Sequence, residues 1–187
     1  LEFRRVLFRS IIGLSGYARS GKDTIAEYLK IKYRFGQYSF ADPMRKAMSI
    51  LDPMVDPYLT YNKAIETYGY TEAKQMYPEV RRLLQVFGTE VGREMFGENF
   101  WVDICLNNIH SFHAVISDVR FPNEADSIKE RGGVIWRINR PDLQPVTRHS
   151  SETSMDNYGF DAVIDNDKSI GDLCKLVDLE IVNALKQ

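Results

Sequence analysis

The sequence has little cysteine, no long apolar run and no excess of basic residues. Its two cysteines, Cys105 and Cys174, lie far apart without CxxC spacing, which argues against a disulfide framework or a zinc site and fits a reducing cytoplasm. No apolar run approaches the ~18 residues of a membrane-spanning helix, so we expect no membrane partner. The formal net charge is −2, whereas a nucleic-acid-binding protein is usually basic, so we expect no nucleic-acid partner.

The first ten residues, LEFRRVLFRS, resemble over their whole length the translation of a common short-read sequencing adapter. We interpret residues 1–10 as an artefact and exclude them from fold reasoning. The remaining chain, residues 11–187, has a length that fits one domain carrying an insertion.

Short apolar runs alternate with helical stretches, which predicts an α/β fold with a parallel sheet covered by helices. The five predicted strands are 11–14, 36–40, 114–117, 134–139 and 162–164. Residues 52–112 contain no convincing strand, and we interpret them as an all-helical insertion with helices at 60–75, 78–96 and 98–111. Residues 140–160 are polar and aperiodic, which predicts a loop or lid.

Four further helices are predicted from local signals. The first follows strand one, where Ile25, Leu29 and Tyr33 recur at helical spacing. The second starts at Asp42 as N-cap, with a proline at its first helical position. The third follows strand three and is closed by Gly132 or Gly133, and the last spans about residues 170–185.

The stretch GYARSGKDT, residues 16–24, lies between the first strand and the first helix. Gly16, Gly21 and Lys22 match the phosphate-loop pattern G-x-x-x-x-G-K-[ST], in which backbone amides form an anion nest and the lysine reaches the β and γ phosphates. The alternative is a glycine-rich turn before an amphipathic helix. The residues expected to bind the nucleotide here are Gly16, Arg19, Ser20, Gly21, Lys22, Asp23 and Thr24.

The loop departs from the pattern at Asp23, where a hydroxyl should follow the lysine, and the hydroxyl of Thr24 comes one place late. A carboxylate in the first turn of a helix is favoured by the helix dipole alone. It would also be suited to holding Mg²⁺ beside the phosphates, directly or through water. Both interpretations stay open for Asp23, and Thr24 can supply the hydroxyl in either case.

A series of motifs in a fixed order resembles the phage-type deoxynucleoside monophosphate kinases. The motifs are LSGYARSGKDT, FADPMRKA, VRRLLQVFGTEVGR with FWVD, ISDVRFPNEAD, WRINRP, HSSE and VIDNDKSIGDL. The resemblance implies the P-loop kinase fold, with strand order 2-3-1-4-5, a helical acceptor-binding insertion and a lid. It also implies ATP and Mg²⁺ as cofactors, transfer of the γ-phosphoryl group to a deoxynucleoside 5′-monophosphate, a hydroxyl at the position of Thr24, and host cytoplasm if a phage encodes the chain.

Phosphoryl transfer needs cations around two aligned phosphates, so the arginines are the first acceptor-site candidates. In the insertion, Arg81 and Gln85 share a helix face with Arg82 nearby, although a solvated basic face is the alternative. The remaining candidates on the acceptor side are Arg45, Arg93, Trp101, Asp118, Arg120 and Glu124. Trp101 would stack on the acceptor base or else be a core tryptophan, and Glu124 would otherwise be an ordinary first-turn glutamate.

Asp118 follows the third strand, at the sheet edge where ligands of such folds bind, and its carboxylate is suited to holding a magnesium-bound water or the acceptor. A helix cap or loop salt bridge is its alternative role. Arg140 is our first choice for an arginine that closes on the transferred group, among Arg137, Arg140 and Arg148 in or beside the lid. His149 is interpreted as a surface or hinge residue in preference to a base. Asn166 and Asp167 end the fifth strand and are expected near the adenine, or else in an ordinary turn. Ser151 and Glu152 receive no role.

Two other functions remain open from the sequence. One is a kinase for a different small phosphate-bearing acceptor, similar to dephospho-coenzyme A kinase. The other is a regulator that binds ATP without transferring phosphate, although the many arginines argue against it. Small nucleotides are the expected partners, and a homodimer is a further alternative that the sequence leaves open.

Overall fold

The computed structural model describes residues 10–141, 143 and 154–184, and the chain divides into two compact units. One unit contains the described residues of 1–39 and 108–187, and the other is Phe40–Asn107. The segment interpreted as an artefact lies outside the described residues except for Ser10. The carbonyl oxygen of Ser10 accepts a hydrogen bond from the Ala114 amide at 2.9 Å, next to the first strand.

Seven strands and seven α-helices make up the described chain. The strands are β1 (Ile11–Ser15), β2 (Gly36–Tyr38), β3 (Met54–Asp56), β4 (Leu59–Thr60), β5 (Ala114–Ile116), β6 (Val134–Asn139) and β7 (Ala162–Asp165). The helices are α1 (Lys22–Tyr33), α2 (Asp42–Leu51), α3 (Tyr61–Met76), α4 (Pro78–Val86), α5 (Phe100–Asn107), α6 (Pro122–Lys129) and α7 (Ile170–Ala184). A π-helical segment, Phe87–Met95, continues from α4.

The first unit is built on a five-stranded sheet in the order β2-β5-β1-β6-β7, with every neighbouring pair parallel. Counted among these five strands alone, that is the predicted order 2-3-1-4-5, which is therefore confirmed. All five residues of β1 are buried, as expected for the central strand of a parallel sheet with both faces covered. The carboxyl ends of β1, β5 and β6 consequently meet at one edge, where the loop before α1 begins.

Helix α1 packs on this sheet through the apolar stripe that its spacing predicts. Ile25, Ala26 and Leu29 are buried in one cluster with Leu14 of β1 and Trp136 of β6. Burying Ile25 and Leu29 contributes ~1.5–3 kcal/mol each to the free energy of unfolding. This packing holds the amino end of α1, and so the loop before it, against the sheet.

A shared carboxylate joins α1 to α7. The Oδ1 atom of Asp178 accepts hydrogen bonds from the Tyr28 and Tyr33 hydroxyls, each at 2.8 Å. Its Oδ2 atom accepts one from Lys32 Nζ at 2.7 Å. The bond from Lys32, with those from the two tyrosines, holds the pKa of the Asp178 carboxyl below its usual range.

The second unit is mainly helical, with a core drawn from α2, α3 and α4. Met48, Tyr61, Ala64, Val80 and Leu84 are buried together in it. Helix α3 is kinked where Gly69 leaves the helical conformation at φ 77° and ψ 162°. The predicted helices at 60–75 and 170–185 agree closely with α3 and with α7 as far as it is described.

Several predicted boundaries in the chain were wrong. Residues 52–112 do contain strands, since β3 and β4 form an antiparallel hairpin that is too short to show strand periodicity. The predicted strand 36–40 is shorter, because its backbone pairing with β5 ends at Tyr38. The predicted helix 78–96 changes from α to π geometry at Phe87, and the predicted helix 98–111 is only Phe100–Asn107.

The start of α2 and the end of α6 lie close to the positions that the sequence predicts. Helix α2 has Ala41 in the N-cap position, so the helix begins at Asp42, one residue earlier than predicted, and Pro43 is its second residue. Helix α6 ends before the Gly132-Gly133 pair as predicted, and Gly132 has φ 75°. Among the described helices, none combines the length and the apolar character that crossing a bilayer requires.

Candidate active site

The loop between β1 and α1 is curled by three residues with positive φ. These are Gly16 (φ 146°), Arg19 (φ 65°) and Gly21 (φ 109°). A Cβ on Gly16 would run into the carbonyl oxygen of Ile138, so the position leaves no room for a side chain. The curl at the amino end of a 12-residue helix is the arrangement in which backbone amides and the helix dipole together favour a phosphate.

Lys22 is the first residue of α1, and its side chain folds back on the start of the loop. Its Nζ donates to the carbonyl oxygens of Gly16 and Tyr17, each at 2.7 Å. The side chain is partly buried, so the ammonium is held at the loop instead of moving freely in solvent. A cation fixed at this position can contact phosphate oxygens bound by the loop.

Asp23 and Thr24 occupy the first turn of α1 and are both exposed. They line an open pocket of about 370 Å³ together with Arg19, Arg140 and Asn166. The pocket therefore contains both predicted magnesium ligands, the Asp23 carboxylate and the Thr24 hydroxyl. The guanidinium groups of Arg19 and Arg140 line the same pocket. Within the described residues, no group of three or more His, Cys, Asp or Glu side chains could hold a metal by itself.

Asn166 ties the end of β7 to the loop. Its Nδ2 donates to the carbonyl oxygen of Ser20 at 2.9 Å, and its own amide donates to the Asn139 carbonyl oxygen at 2.7 Å. Asp167 and Lys168 follow it and line a neighbouring pocket of about 390 Å³. Sequence reasoning placed Asn166 and Asp167 near the nucleotide, and both lie beside the phosphate loop or its adjoining pocket.

Asp118 follows β5 and accepts a hydrogen bond from the Ser39 hydroxyl at 2.7 Å. Arg120 is exposed and lines a small pocket of about 30 Å³ with Gly16, Lys22 and Arg137. Three cationic side chains therefore converge beside the start of the loop. This convergence is suited to holding a phosphate that carries more than one negative charge.

Glu124 is 3% exposed, and its contacts favour the alternative that the sequence left open. Its Oε2 accepts hydrogen bonds from the Arg120 amide at 2.7 Å and the Phe121 amide at 3.1 Å. These bonds satisfy free amides at the start of α6, which is the role of a capping glutamate. The carboxylate thereby supports the turn that carries Arg120.

Sequence reasoning missed a contact network at the loop. Arg137 Nη2 donates to Oδ1 of Asp156 at 3.0 Å, and the Tyr17 hydroxyl donates to the same oxygen at 3.1 Å. The guanidinium carbon of Arg137 lies 4.7 Å from the centre of the Tyr17 ring. Burial, followed by the bond to Asp156, raises the pKa of the Tyr17 phenol. Asp156 carried no signal because it lies in a stretch without periodicity.

The residues predicted in or beside the lid are only partly described. Arg140 is exposed, and its Nη1 lies 3.5 Å from the carbonyl oxygen of Arg19, at the outer limit for a hydrogen bond. Its predicted role in closing on the transferred group stays a prediction. Arg148, His149, Ser151 and Glu152 lie outside the described residues.

The second unit carries the candidates for the acceptor phosphate. Arg45 pairs with Asp42 at 3.1 Å and lies over the Tyr70 ring, 4.6 Å from its centre. Arg81 and Gln85 are both exposed on α4, which agrees with the predicted shared face. Arg82 pairs with Glu79 through two bonds of 2.7 Å and 2.6 Å, and Arg93 lies in the π-helical segment. Their binding roles stay predictions.

Trp101 lies in the core of the second unit, which favours the alternative to base stacking. The residue is 8% exposed, and its Nε1 donates to the Gly88 carbonyl oxygen at 2.9 Å. Its ring lies 4.8 Å from that of Phe100 and 5.6 Å from that of Phe87, between ring centres. The indole thus packs α5 against the π-helical segment.

The sequence of this chain is similar to those of deoxynucleotide monophosphate kinases. The family model described as deoxynucleotide monophosphate kinase matches residues 53–177. A protein of Acanthamoeba polyphaga mimivirus, provisionally named a deoxynucleotide monophosphate kinase, is 35% identical over 86% of this chain and 90% of its own length. The deoxynucleotide monophosphate kinase of Escherichia phage RB69 is 23% identical over 90% of this chain and 98% of its own.

A solved structure extends the likeness to the fold. Shikimate kinase from Aquifex aeolicus superposes with a TM-score of 0.50, covering 95% of this chain and 99% of that one at 16% identity. Identity this low supports the fold alone. That fold agrees with the parallel sheet and the loop before α1 described above.

Proposed function

The chain belongs to the deoxynucleotide monophosphate kinase family, and on that premise we propose that it transfers the γ-phosphoryl group of ATP to a deoxynucleoside 5′-monophosphate. The products are ADP and the deoxynucleoside diphosphate. The observation that carries the proposal within the molecule is the curled loop at the carboxyl end of β1, with Lys22 held against it. ATP use follows from the kinase family.

The loop is proposed to hold the donor. Amides of residues 16–24 would bind the β and γ phosphates, with the amino end of α1 adding partial positive charge. Lys22 would exchange its bonds to the loop carbonyls for bonds to phosphate oxygens. Asn166 and Asp167 would lie on the side of the adenine, because their pockets adjoin the loop beyond Gly21.

An oxygen of the acceptor phosphate would attack the γ phosphorus as the bond from that phosphorus to the bridging oxygen breaks, leaving ADP. The protein has little covalent chemistry to perform in such a step, so its contribution is alignment and charge neutralisation. Lys22 and Arg120 would neutralise charge at the loop, with Arg140 at the pocket edge. Asp118, oriented by Ser39, would orient the acceptor or a bound water.

The first turn of α1 fits a magnesium ion. Mg²⁺ commonly uses one or two protein oxygens and completes its coordination with phosphates and water, so a larger carboxylate cluster is not required. The Thr24 hydroxyl and the Asp23 carboxylate are the proposed protein ligands, and both face the pocket beside the loop. When bound there, the ion would neutralise phosphate charge during transfer.

The acceptor is proposed to bind the second unit through its arginines and Gln85. Arg82 is proposed to make a bidentate contact to the phosphate by exchanging the two bonds that its guanidinium forms to Glu79. Arg45, Arg81 and Arg93 are proposed to contribute further positive charge. A homodimer and a site of action in the host cytoplasm stay predictions.

A coupled assay for ADP release tests the function. It should compare the four deoxynucleoside monophosphates, the matching ribonucleotides and dephospho-coenzyme A as acceptors. We expect turnover with at least one deoxynucleoside monophosphate to exceed that with every other acceptor. Turnover only with dephospho-coenzyme A would favour a different acceptor class, and ATP binding without acceptor-dependent ADP release would favour a regulator.

Two substitutions sharpen the same assay. Arg82→Ala should raise the acceptor KM, because it removes a bidentate phosphate contact. Arg140→Ala should lower kcat, because it removes a cation proposed to act at the transferred group. If both variants keep the wild-type rate of acceptor-dependent ADP release, the proposed arginine roles are wrong.

A further inference from the structure

Tyr17, Arg137 and Asp156 form a three-residue network in the first unit, and the proposed function gives this network no role. It rests on the single atom Oδ1 of Asp156, which accepts from the phenol of Tyr17 and the guanidinium of Arg137. The side chain of Arg137 is 13% exposed, so this ion pair is shielded from solvent on one side. A pair of that kind is less weakened by salt than one on the open surface.

Tyr17 connects this network to the loop lysine. Its ring lies under the Arg137 guanidinium and its hydroxyl is bonded to Asp156, while its carbonyl oxygen accepts from Lys22 Nζ at 2.7 Å. The same carbonyl accepts from the Ser20 amide at 3.2 Å. Fixing the side chain of Tyr17 therefore restricts the peptide that holds both Lys22 and the tip of the loop.

The segment 154–161 carries Asp156 and is bonded to α6 and β6 through residues that follow Asp156. The preceding residue, Met155, is 2% exposed. The Tyr158 hydroxyl donates to Asp126 Oδ1 at 2.7 Å, which bonds the segment to α6. The Ile135 amide donates to Asp161 Oδ2 at 2.7 Å, which bonds it to β6. The carboxylate is thus presented to the loop by a segment that is bonded to the rest of the unit independently of the loop.

We infer that Asp156 is a positioning residue for the phosphate-binding loop, acting through Tyr17 and Arg137 to set the place of Lys22. The inference rests on the proposed binding of ATP phosphates at this loop. Arg137 contributes to this positioning in two ways. Its guanidinium is oriented by Asp156, and its side chain lines the small pocket that Lys22 and Arg120 also line. Without Asp156 the guanidinium loses its anionic partner and the Tyr17 peptide its outer restraint, so the cations no longer meet the phosphate in a fixed arrangement.

The experiment is a double-mutant cycle on ATP binding, measured by calorimetry without an acceptor. Asp156→Ala and Tyr17→Phe should each raise the Kd for ATP, by about tenfold and about threefold respectively, on the scale of hydrogen bonds to a charged group. In the Asp156→Ala background, Tyr17→Phe should add nothing further, because the two residues act through one contact. Asp156→Asn, which keeps an acceptor oxygen but loses the charge, should lie between wild type and Asp156→Ala.

Tyr158→Phe is the matched control, since it also removes one phenol-to-carboxylate bond from the same segment but does not touch the loop. We expect it to lower the Tm while leaving the Kd for ATP unchanged. If Asp156→Ala and Tyr17→Phe behave like this control, the inference is overturned and Asp156 is only structural. If Asp156→Ala does not fold, Asp156→Asn and Tyr17→Phe decide the question by the same criterion.

The ATP-binding cycle and the ADP-release assay can fail independently, so failure of the positioning role can be told apart from failure of the proposed function. Wild-type protein that binds ATP but releases no ADP with any deoxynucleoside monophosphate would contradict the kinase function, and the cycle on binding would still test Asp156. Normal turnover with wild-type ATP affinity in all the network variants would leave the function standing and overturn the positioning role. Wild-type protein that binds no ATP would overturn both.

Discussion

The side-chain amide of Asn166 lies where a side chain on Gly21 would have to go. A Cβ built on Gly21 would be 2.6 Å from Asn166 Nδ2, the atom that donates to the Ser20 carbonyl oxygen. Gly21 also has φ 109°, a conformation that disfavours other residues. Two separate features therefore favour glycine at position 21. One is the left-handed backbone of the turn, and the other is the close contact with Asn166 at the end of β7.

Gly21→Ala should weaken ATP binding by well over tenfold and lower the Tm. The left-handed backbone alone costs on the order of 1–2 kcal/mol, and displacing Asn166 adds ~1–3 kcal/mol. Gly97→Ala is the matched control, because Gly97 has φ 107° with nothing within 4 Å of its added Cβ. Calorimetry and thermal unfolding should show the excess cost only at Gly21. An equal loss of stability in the two variants, with ATP affinity retained, would contradict the contact argument.

Lys22→Ala should lower kcat/KM by about 100-fold or more with the fold intact, as expected when a preorganised cation is lost from the transition state. Lys30→Ala is the comparison, because Lys30 lies on the same helix but pairs with Glu27 at 2.9 Å on an exposed face. Steady-state ADP release and circular dichroism measure the two effects. A loss for Lys22→Ala no greater than that for Lys30→Ala would mean that the loop is not the donor site.

Asp23→Asn should raise the magnesium concentration needed for half-maximal activity, by roughly tenfold if the carboxylate contacts the ion or one of its waters. Thr24→Val should shift it in the same direction. Glu27→Gln, which removes an exposed carboxylate on the same helix, should leave the magnesium dependence in place. Titration of activity with MgCl₂ at fixed ATP is the measurement. If Asp23→Asn changes only the Tm, the carboxylate serves the helix dipole alone.

The five strands and the position of the loop could be predicted because their signals are local. A buried strand, two glycines, a lysine and an amphipathic helix follow one another within 23 residues, from Ile11 to Tyr33. The ordered motifs then supplied the strand order through the family resemblance. The first-turn position of Glu124 was also readable from the sequence, whereas its capping bonds are a finding of the structure.

The network at the loop could not be predicted, because its partners are distant in sequence. Tyr17 and Asp156 are 139 residues apart, and nothing in the polar stretch around Asp156 marks it as a loop contact. The hairpin of β3 and β4 was missed because two or three residues per strand give no period to recognise. The π geometry of Phe87–Met95 was missed because helical periodicity assumes 3.6 residues per turn.

The carboxylate of Asp178 should make the stability of the first unit depend on acid pH. Bonds from Lys32, Tyr33 and Tyr28 lower its pKa in the folded protein. Its stabilising contribution is therefore complete above the unfolded pKa of ~3.9 and is lost as the pH falls through the folded value. Urea unfolding between pH ~6 and pH ~3 should show a smaller loss of stability for Asp178→Asn than for wild type.

Tyrosine variants separate this effect from general acid unfolding. Tyr28→Phe and Tyr33→Phe should each reduce the loss of stability in the same pH range, because each removes one bond that favours the ionised carboxylate. Tyr58→Phe should not, since that residue is 95% exposed in the other unit. An unchanged pH profile for Asp178→Asn would show that other carboxylates govern the acid sensitivity.

Gly92→Ala should destabilise the second unit and thereby test the structural role of Trp101. A Cβ on Gly92 would run into the indole ring, whose nitrogen is already bonded to the Gly88 carbonyl oxygen. Overpacking of this kind costs ~1–3 kcal/mol, so the free energy of unfolding should fall by that amount. Gly159→Ala, with nothing within 4 Å of its Cβ, is the control.

Trp101→Phe should partly restore the stability of Gly92→Ala, because the smaller phenylalanine ring leaves room for the added Cβ. If Gly92→Ala is as stable as wild type while the acceptor KM rises, the indole is free to move and the base-stacking interpretation gains support over a core role.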